Sequence, residues 1–179
     1  MDLAAVFVAR SRYFLSTEYP TKLRAAVEAL PADALWQRPN PQSNSVGNLL
    51  VHLSGNVRQW IVSGVGGAAN TRDRAAEFAQ QRGPAAAELL AELERTLAEA
   101  DEVLGRLTAE DLGSMRMVQG RELTVLEAVY HVVEHFALHL GQIILVAKAR
   151  APGALQFYDD AGGLAVPLWP ALATRGGAA

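Results

Sequence analysis

Apolar residues recur at helical spacing along most of the chain, and the strict alternation that marks strands is scarce. Leu3, Val6, Phe7, Tyr13, Phe14, Leu23, Val27 and Leu30 trace one stripe. They predict a first helix from about Asp2 to Leu30, bent or interrupted at Pro20. PADALWQRPNPQ reads as a connection with a short helical turn, closed by Pro39 and Pro41. In SNSVGN, Asn44 or Ser45 can cap a second helix that runs to about Val62. Residues 64–83, glycine-rich and then charged, predict a long surface loop holding at most one helical turn. Pro84 suits the start of a third helix reaching about Leu107, with Leu89, Leu90, Leu93, Leu97, Val103, Leu104 and Leu107 as its stripe. Thr124 and Glu127 form a capping box for a fourth, which ends near Lys148 and Arg150, cations that suit a helix C-terminus. The Gly- and Pro-rich remainder predicts irregular structure that packs Phe157, Tyr158 and Trp169 on the body. The pattern is that of an all-α protein: an up-down four-helix bundle with long connections and an irregular C-terminal segment. We expect one domain over residues 1–172 and a frayed tail over 173–179.

The second and fourth helices also carry polar stripes inside apolar surroundings. Asn48, His52, Asn56 and Gln59 line one; Glu127, His131, His135, His139 and Gln142 line the other. A faint internal echo relates the two: LPADAL (30–35) resembles LTAEDL (107–112), and aligning Ser45-Val46 with Thr124-Val125 sets His52 opposite His131. Buried polar groups need partners, because an unsatisfied one costs about 1–3 kcal/mol. Facing stripes could satisfy one another or converge on an ion. A lone histidine is more often a hydrogen-bonded core or surface residue than a ligand. Three at i, i+4 and i+8, in a chain with four histidines, weigh more. A pair at i, i+4 can ligate one ion from a single helix face, yet a row of three spans ~12 Å, too long for all to reach one ion comfortably. Spacing alone does not choose between His131/His135 and His135/His139. There is no HExxH, since Glu134 directly precedes His135 and points about 100° away from it.

Composition narrows the chemistry. The chain has 179 residues, half of them hydrophobic and a fifth charged, with a net charge of −3. That balance gives no reason to expect nucleic acid or an anionic membrane as partner. With no cysteine, a metal would need nitrogen and oxygen ligands, and any thiol nucleophile would come from outside. Cysteine absence fits a reducing cytoplasm. The first residues lack the basic-then-apolar order of a signal peptide, and no apolar run is expected to reach the roughly 20 residues of a bilayer span. There is no P-loop, dinucleotide fingerprint or serine nucleophile elbow.

NSVGNLLVHLSGNVRQWI (44–61) and EHFALHLGQIILVAK (134–148) resemble the two signature helices of the DinB/YfiT-like superfamily. The likeness extends over about Ala4 to Lys148 and includes RAAEF in the long loop. It implies an up-down four-helix bundle, often a homodimer, with a divalent metal (zinc or nickel) held by His52, His135 and His139. His131 would then be an outer or pocket residue. Leu140 in HLGQ departs from relatives with arginine or threonine there, which bears on the pocket lining and leaves the ligand set intact. Activities known in the superfamily imply a thiol-dependent transferase acting on a small-molecule substrate, with a low-molecular-weight thiol as co-substrate. Metal-assisted hydrolysis and a non-catalytic, stress-associated metal-binding bundle are the alternatives. His131, Glu134, Asn48 and Asn56 are the candidate pocket residues. For the asparagines and Gln59, local hydrogen bonding or solvent exposure is an equal reading. Glu127 is a further candidate proton acceptor for hydrolysis. Loop residues Arg72, Arg74 and Arg82 are read as solvated, with an anionic substrate as the functional alternative. Trp36, Trp60 and Trp169 are read as packing anchors.

Overall fold

Asp2 caps the first helix by accepting from the amides of Ala4 and Ala5, and α1 (Leu3–Tyr13) follows from it. The chain continues through a π-helical turn (Phe14–Glu18) into α2 (Tyr19–Glu28). Pro20 has no N–H to give to the preceding turn, and the wider turn just before it absorbs that loss. The interruption expected at Pro20 takes the form of this π-helical turn over Phe14–Glu18, and the helix continues through Pro20 itself. The computed structural model describes residues 1–173 of the chain.

α3 (Val46–Val57) starts at Ser45, whose side chain accepts from the Asn48 amide while the Asn48 side chain reaches back. It runs on through a π-helical segment, Arg58–Val65, three residues past the expected end. The predicted surface loop contains α4 (Arg74–Ala79), capped by Asp73. α5 spans Ala86–Leu104 and α6 Ala109–Gly113. A hairpin of β1 (Met115–Val118) and β2 (Arg121–Thr124) follows, antiparallel, with Val118 paired to Arg121. Its two turn residues, Gln119 and Gly120, both have left-handed backbones (φ 52° and 74°), matching the right-handed strand twist. The sequence concealed this hairpin because it buries almost nothing: Met115 and Met117 are exposed, and Val118 is its buried side chain. α7 (Val125–Arg150) begins at its Thr124–Glu127 capping box and ends where the charge pattern predicts.

α2, α3, α5 and α7 pack on one another, α2 against α7 and α5, and α3 against α5 and α7. Leu23, Leu50, Leu53, Ile61, Leu93, Leu104, Phe136 and Ile143 fill the middle, all nearly inaccessible. The four-helix bundle is therefore the observed architecture. The C-terminal segment forms a two-residue pair, β3 (Tyr158–Asp159) with β4 (Val166–Pro167), and α8 (Trp169–Ala173), which packs on α2. Phe157 and Trp169 are buried as expected; Tyr158 is half-exposed, and its hydroxyl lies 3.2 Å from Lys22 Nζ. From residue 174 onward the expected frayed tail lies outside the described residues.

Among the described residues α7 alone is long and apolar enough, by length and composition, to cross a membrane. Reading for uninterrupted apolar runs passed over it because the histidines break the pattern. Its buried face, from Val125 through Phe136 to Ala147, packs inside the bundle against α2 and α3.

Candidate metal centre

Packing α3 on α7 sets the two polar stripes face to face. His52 is buried, and its Nε2 lies 3.1 Å from Nε2 of His135. The His135 and His139 rings, one helical turn apart, have centroids 4.4 Å from each other and 4.9 and 5.0 Å from the His52 ring. One ligand atom from each of the three lies within 4.8 Å of the others. His131 stands aside. Its ring packs on Trp60 at 4.1 Å, and its Nε2 is 3.5 Å from the Asn56 amide nitrogen. The structure thus brings together His52, His135 and His139, the set implied by the resemblance.

The ring nitrogens facing outward from the cluster differ in what they meet. His52 Nδ1 is 2.8 Å from Glu77 Oε2. A carboxylate so close requires an N–H, so the proton of His52 belongs on Nδ1 and the lone pair on Nε2. Arg72 Nη2, 3.1 Å from the same Nδ1, is a donor too and makes its own bond to Glu77 Oε2. His139 Nδ1 is 2.8 Å from Gln142 Oε1, and its Nε2 is left free in the same way. His135 Nδ1 is buried with no hydrogen-bond partner among the described residues.

Burial disfavours the charged form of each imidazole on α7. His135 is pushed down to about 3, by burial first and then by its neighbours His139, His52 and His131. His139 and His131 are lowered chiefly by burial. Neutral imidazoles with free lone pairs are the state a metal ligand requires. At 3.1 Å, His52 Nε2 and His135 Nε2 must share a proton or a cation between them. The residues present therefore fit a divalent ion: three imidazole nitrogen donors, no thiolate and, among the described residues, no fourth ligand in the group.

Other candidates are placed differently from the sequence reading. Asn48 is fully buried, but it serves the backbone. Its oxygen accepts from Ser45, and its nitrogen donates to the carbonyls of Glu77 (2.9 Å) and Gln80 (2.8 Å), pinning the end of α4 to α3. Asn56 stays beside His131, with its side-chain oxygen buried and unpartnered, as is Trp60 Nε1. Glu134 is exposed, and Glu127 is taken up by the α7 cap. Arg72 corrects the view of it as a solvated loop residue: its side chain is 5% exposed and pairs with Glu77 through Nε at 2.6 Å. The loop residue that sequence reasoning missed is Glu77. Burial alone would raise its carboxyl; hydrogen bonds from Arg72 and His52 outweigh that and hold it below the usual carboxylate range. No sequence signal singles it out; in the structure its place is made by Gly55, where a Cβ would come within 2.1 Å of Glu77 Oε1.

Residues 3–156 match the family described as Protein of unknown function (DUF1572). The chain belongs to that family. No curated protein sequence matches it. Among solved structures it is similar to a DinB-like protein of Bacillus subtilis (YjoA), with a TM-score of 0.61 at 18% identity over 86% of this chain and 97% of that one. A DinB-like protein of Bacillus cereus ATCC 10987 gives 0.59 at 20% identity, over 78% and 94%. At such identities the likeness is one of fold, and this DUF1572 chain has the DinB-like fold.

Proposed function

We propose that His52, His135 and His139 hold one divalent ion, zinc or nickel, and that the site carries a thiol-dependent transfer to a small electrophile. The observation that supports the metal is the convergence of three imidazoles, His52 Nε2 and His135 Nε2 being 3.1 Å apart. Held by His52, His135 and His139, a divalent ion would supply Lewis acidity that lowers the pKa of a thiol, ~8.5 when free, towards neutrality. The chain has no cysteine, so the thiol is a low-molecular-weight co-substrate. Its sulfur bonds to the electrophilic carbon, the leaving group departs with its electron pair, and the thiol proton passes to solvent.

Metal-assisted hydrolysis is the second reading, and the carboxylates give it little help: both oxygens of Glu77 are engaged by Arg72 and His52, Glu127 caps α7, and Glu134 faces solvent. His131, whose charged form burial disfavours and whose ring lies 5.3 Å from that of His135, is the proton acceptor such a step would use. The first reading takes the protein as a cytoplasmic homodimer. Tyr130, Leu138 and Leu145, each at least 60% exposed, share one side of α7 that a second copy would cover. Sedimentation velocity at micromolar concentration checks this, a monomer counting against it.

Metal analysis of the purified protein should find about one divalent ion per chain. In the Co²⁺-loaded form, small thiols should shift the visible absorption. Full metal retention by both His52→Ala and His139→Ala would overturn the ligand assignment, and silence toward every thiol would overturn the transfer.

A further inference from the structure

Glu77 and Arg72 arrive at the site from the segment between α3 and α5, and every polar atom of the pair is accounted for. Glu77 Oε2 meets His52 Nδ1 at 2.8 Å and Arg72 Nη2 at 2.8 Å, and Oε1 accepts from Arg72 Nε at 2.6 Å. The remaining arginine nitrogen, Nη1, donates to Gln59 Oε1 at 2.8 Å, on the π-helical continuation of α3. Asn48 holds the Glu77 carbonyl from one turn before His52. Gly55 provides the bed: a Cβ there would lie 2.1 Å from Glu77 Oε1 and 2.9 Å from Arg72 Nε. Both side chains are about 5% exposed. An ion pair so thoroughly desolvated is not a surface ornament, and the group it is aimed at is a candidate ligand.

We propose that Glu77 is the positioning residue of the metal centre. It keeps the proton of His52 on Nδ1 and the ring in place, so that the Nε2 lone pair faces the ion; Arg72 and Gln59 hold the carboxylate to that task. The proposal rests on the reading of His52, His135 and His139 as a metal site. Metal-ligating histidines generally give their second N–H to such an acceptor, and its loss typically weakens metal binding 10- to 100-fold. Here the three imidazoles are served unequally. His139 has a neutral amide from its own helix, and His135 Nδ1 has no partner among the described residues. His52 alone has a carboxylate, and it comes from α4, a helix whose buried residue is Glu77 itself. The affinity of the centre therefore depends on the fold of residues 71–80, well outside the two signature helices.

The test uses the full chain and two variants. Glu77→Gln removes the charge and keeps the shape. Gly55→Ala leaves Glu77 intact but displaces its carboxylate, and it would favour the helix if that carboxylate were irrelevant. Zinc affinity by competition with a chromophoric chelator should fall about 10- to 100-fold in both. Nitrogen-15 NMR of the metal-free protein should show His52 as the Nδ1–H tautomer in the wild type and as a tautomer mixture in Gly55→Ala. Wild-type zinc affinity in both variants, or a His52 tautomer unchanged by Gly55→Ala, overturns the proposal. A wild-type protein that binds no zinc overturns the metal reading instead, while the tautomer measurement still decides whether Glu77 governs His52. Should Glu77→Gln fail to fold, Gly55→Ala carries both readouts.

Discussion

α3 and α7 bring the same side chain to the same place by opposite means. α7 presents His135 and His139 from one uninterrupted 26-residue helix. Its start is set by its own capping box, and Gln142, which orients His139, lies on the same helix. α3 presents a single histidine through contacts made at a distance. Glu77 is 25 residues beyond His52 in the chain and Arg72 is 20 beyond it. Even the start of α3 is shared, since Asn48 closes the cap and also grips α4. One half of the site is assembled by local helical periodicity; the other exists only when a separate segment has folded onto it.

The strongest test of this contrast treats the halves alike. Replacing His52 or His139 by alanine removes a ligand from either side, and each should cost more zinc affinity than the roughly 10- to 100-fold typical of an outer partner. Equilibrium dialysis measures it, and a loss confined to one helix would break the picture of a shared ion. Next in size is stability. Arg72→Met strands the Glu77 carboxylate in the interior and should cost about 3–5 kcal/mol in urea unfolding of the metal-free protein. Gln142→Ala, its counterpart on α7, touches an exposed amide and should stay within about 0.5 kcal/mol. Equal costs would mean the two helices are not held differently.

The caps sharpen the same comparison. Thr124→Ala removes a local cap and should cost about 1 kcal/mol. Asn48→Ala also strands the carbonyls of Glu77 and Gln80, and about 2–4 kcal/mol is expected from thermal or urea unfolding. The smallest effect concerns a pair outside either helix. Arg12 bonds both oxygens of Asp101 at 2.7 Å, joining α1 to α5, and its guanidinium holds that carboxyl below the ordinary range. A depressed carboxyl stabilises the fold above its unfolded pKa of about 3.9, and this contribution is lost as pH falls through the folded value. Asp101→Asn should therefore be less stable than wild type by under about 1 kcal/mol at pH 7. That gap should narrow as pH falls below about 3.9.

How legible each half was follows from the same asymmetry. The starts of α3 and α7 could be read from Ser45 and Thr124 because a cap is a contact within three residues. The three histidines stood out because helical spacing stacks them, although spacing left the choice of pair open and only the meeting of α3 with α7 separates His131 from the cluster. Arg72 and Glu77 were illegible as partners. In the sequence they sit among glycine, alanine and charge, and their burial comes entirely from what they cover. Asn48 misled for a related reason: a buried amide in a polar stripe looks the same whether it faces a ligand or a backbone carbonyl. The hairpin went unseen because four-residue strands with one buried side chain carry almost no periodicity.

The π-helical stretch that carries α3 from Arg58 to Val65 has a consequence for how this family varies. Bonds from i to i+5 house one residue more per turn than the ordinary ladder. A chain shorter by one position here would close the wide turn into plain α-helix and keep the residues on either side aimed as before, because the extra residue is housed within the turn. Gln59, which meets Arg72, and Trp60, which packs on His131, sit on that turn. A single-residue deletion between positions 58 and 65 should thus be felt at this wall of the site first, while the rest of the helix keeps its register.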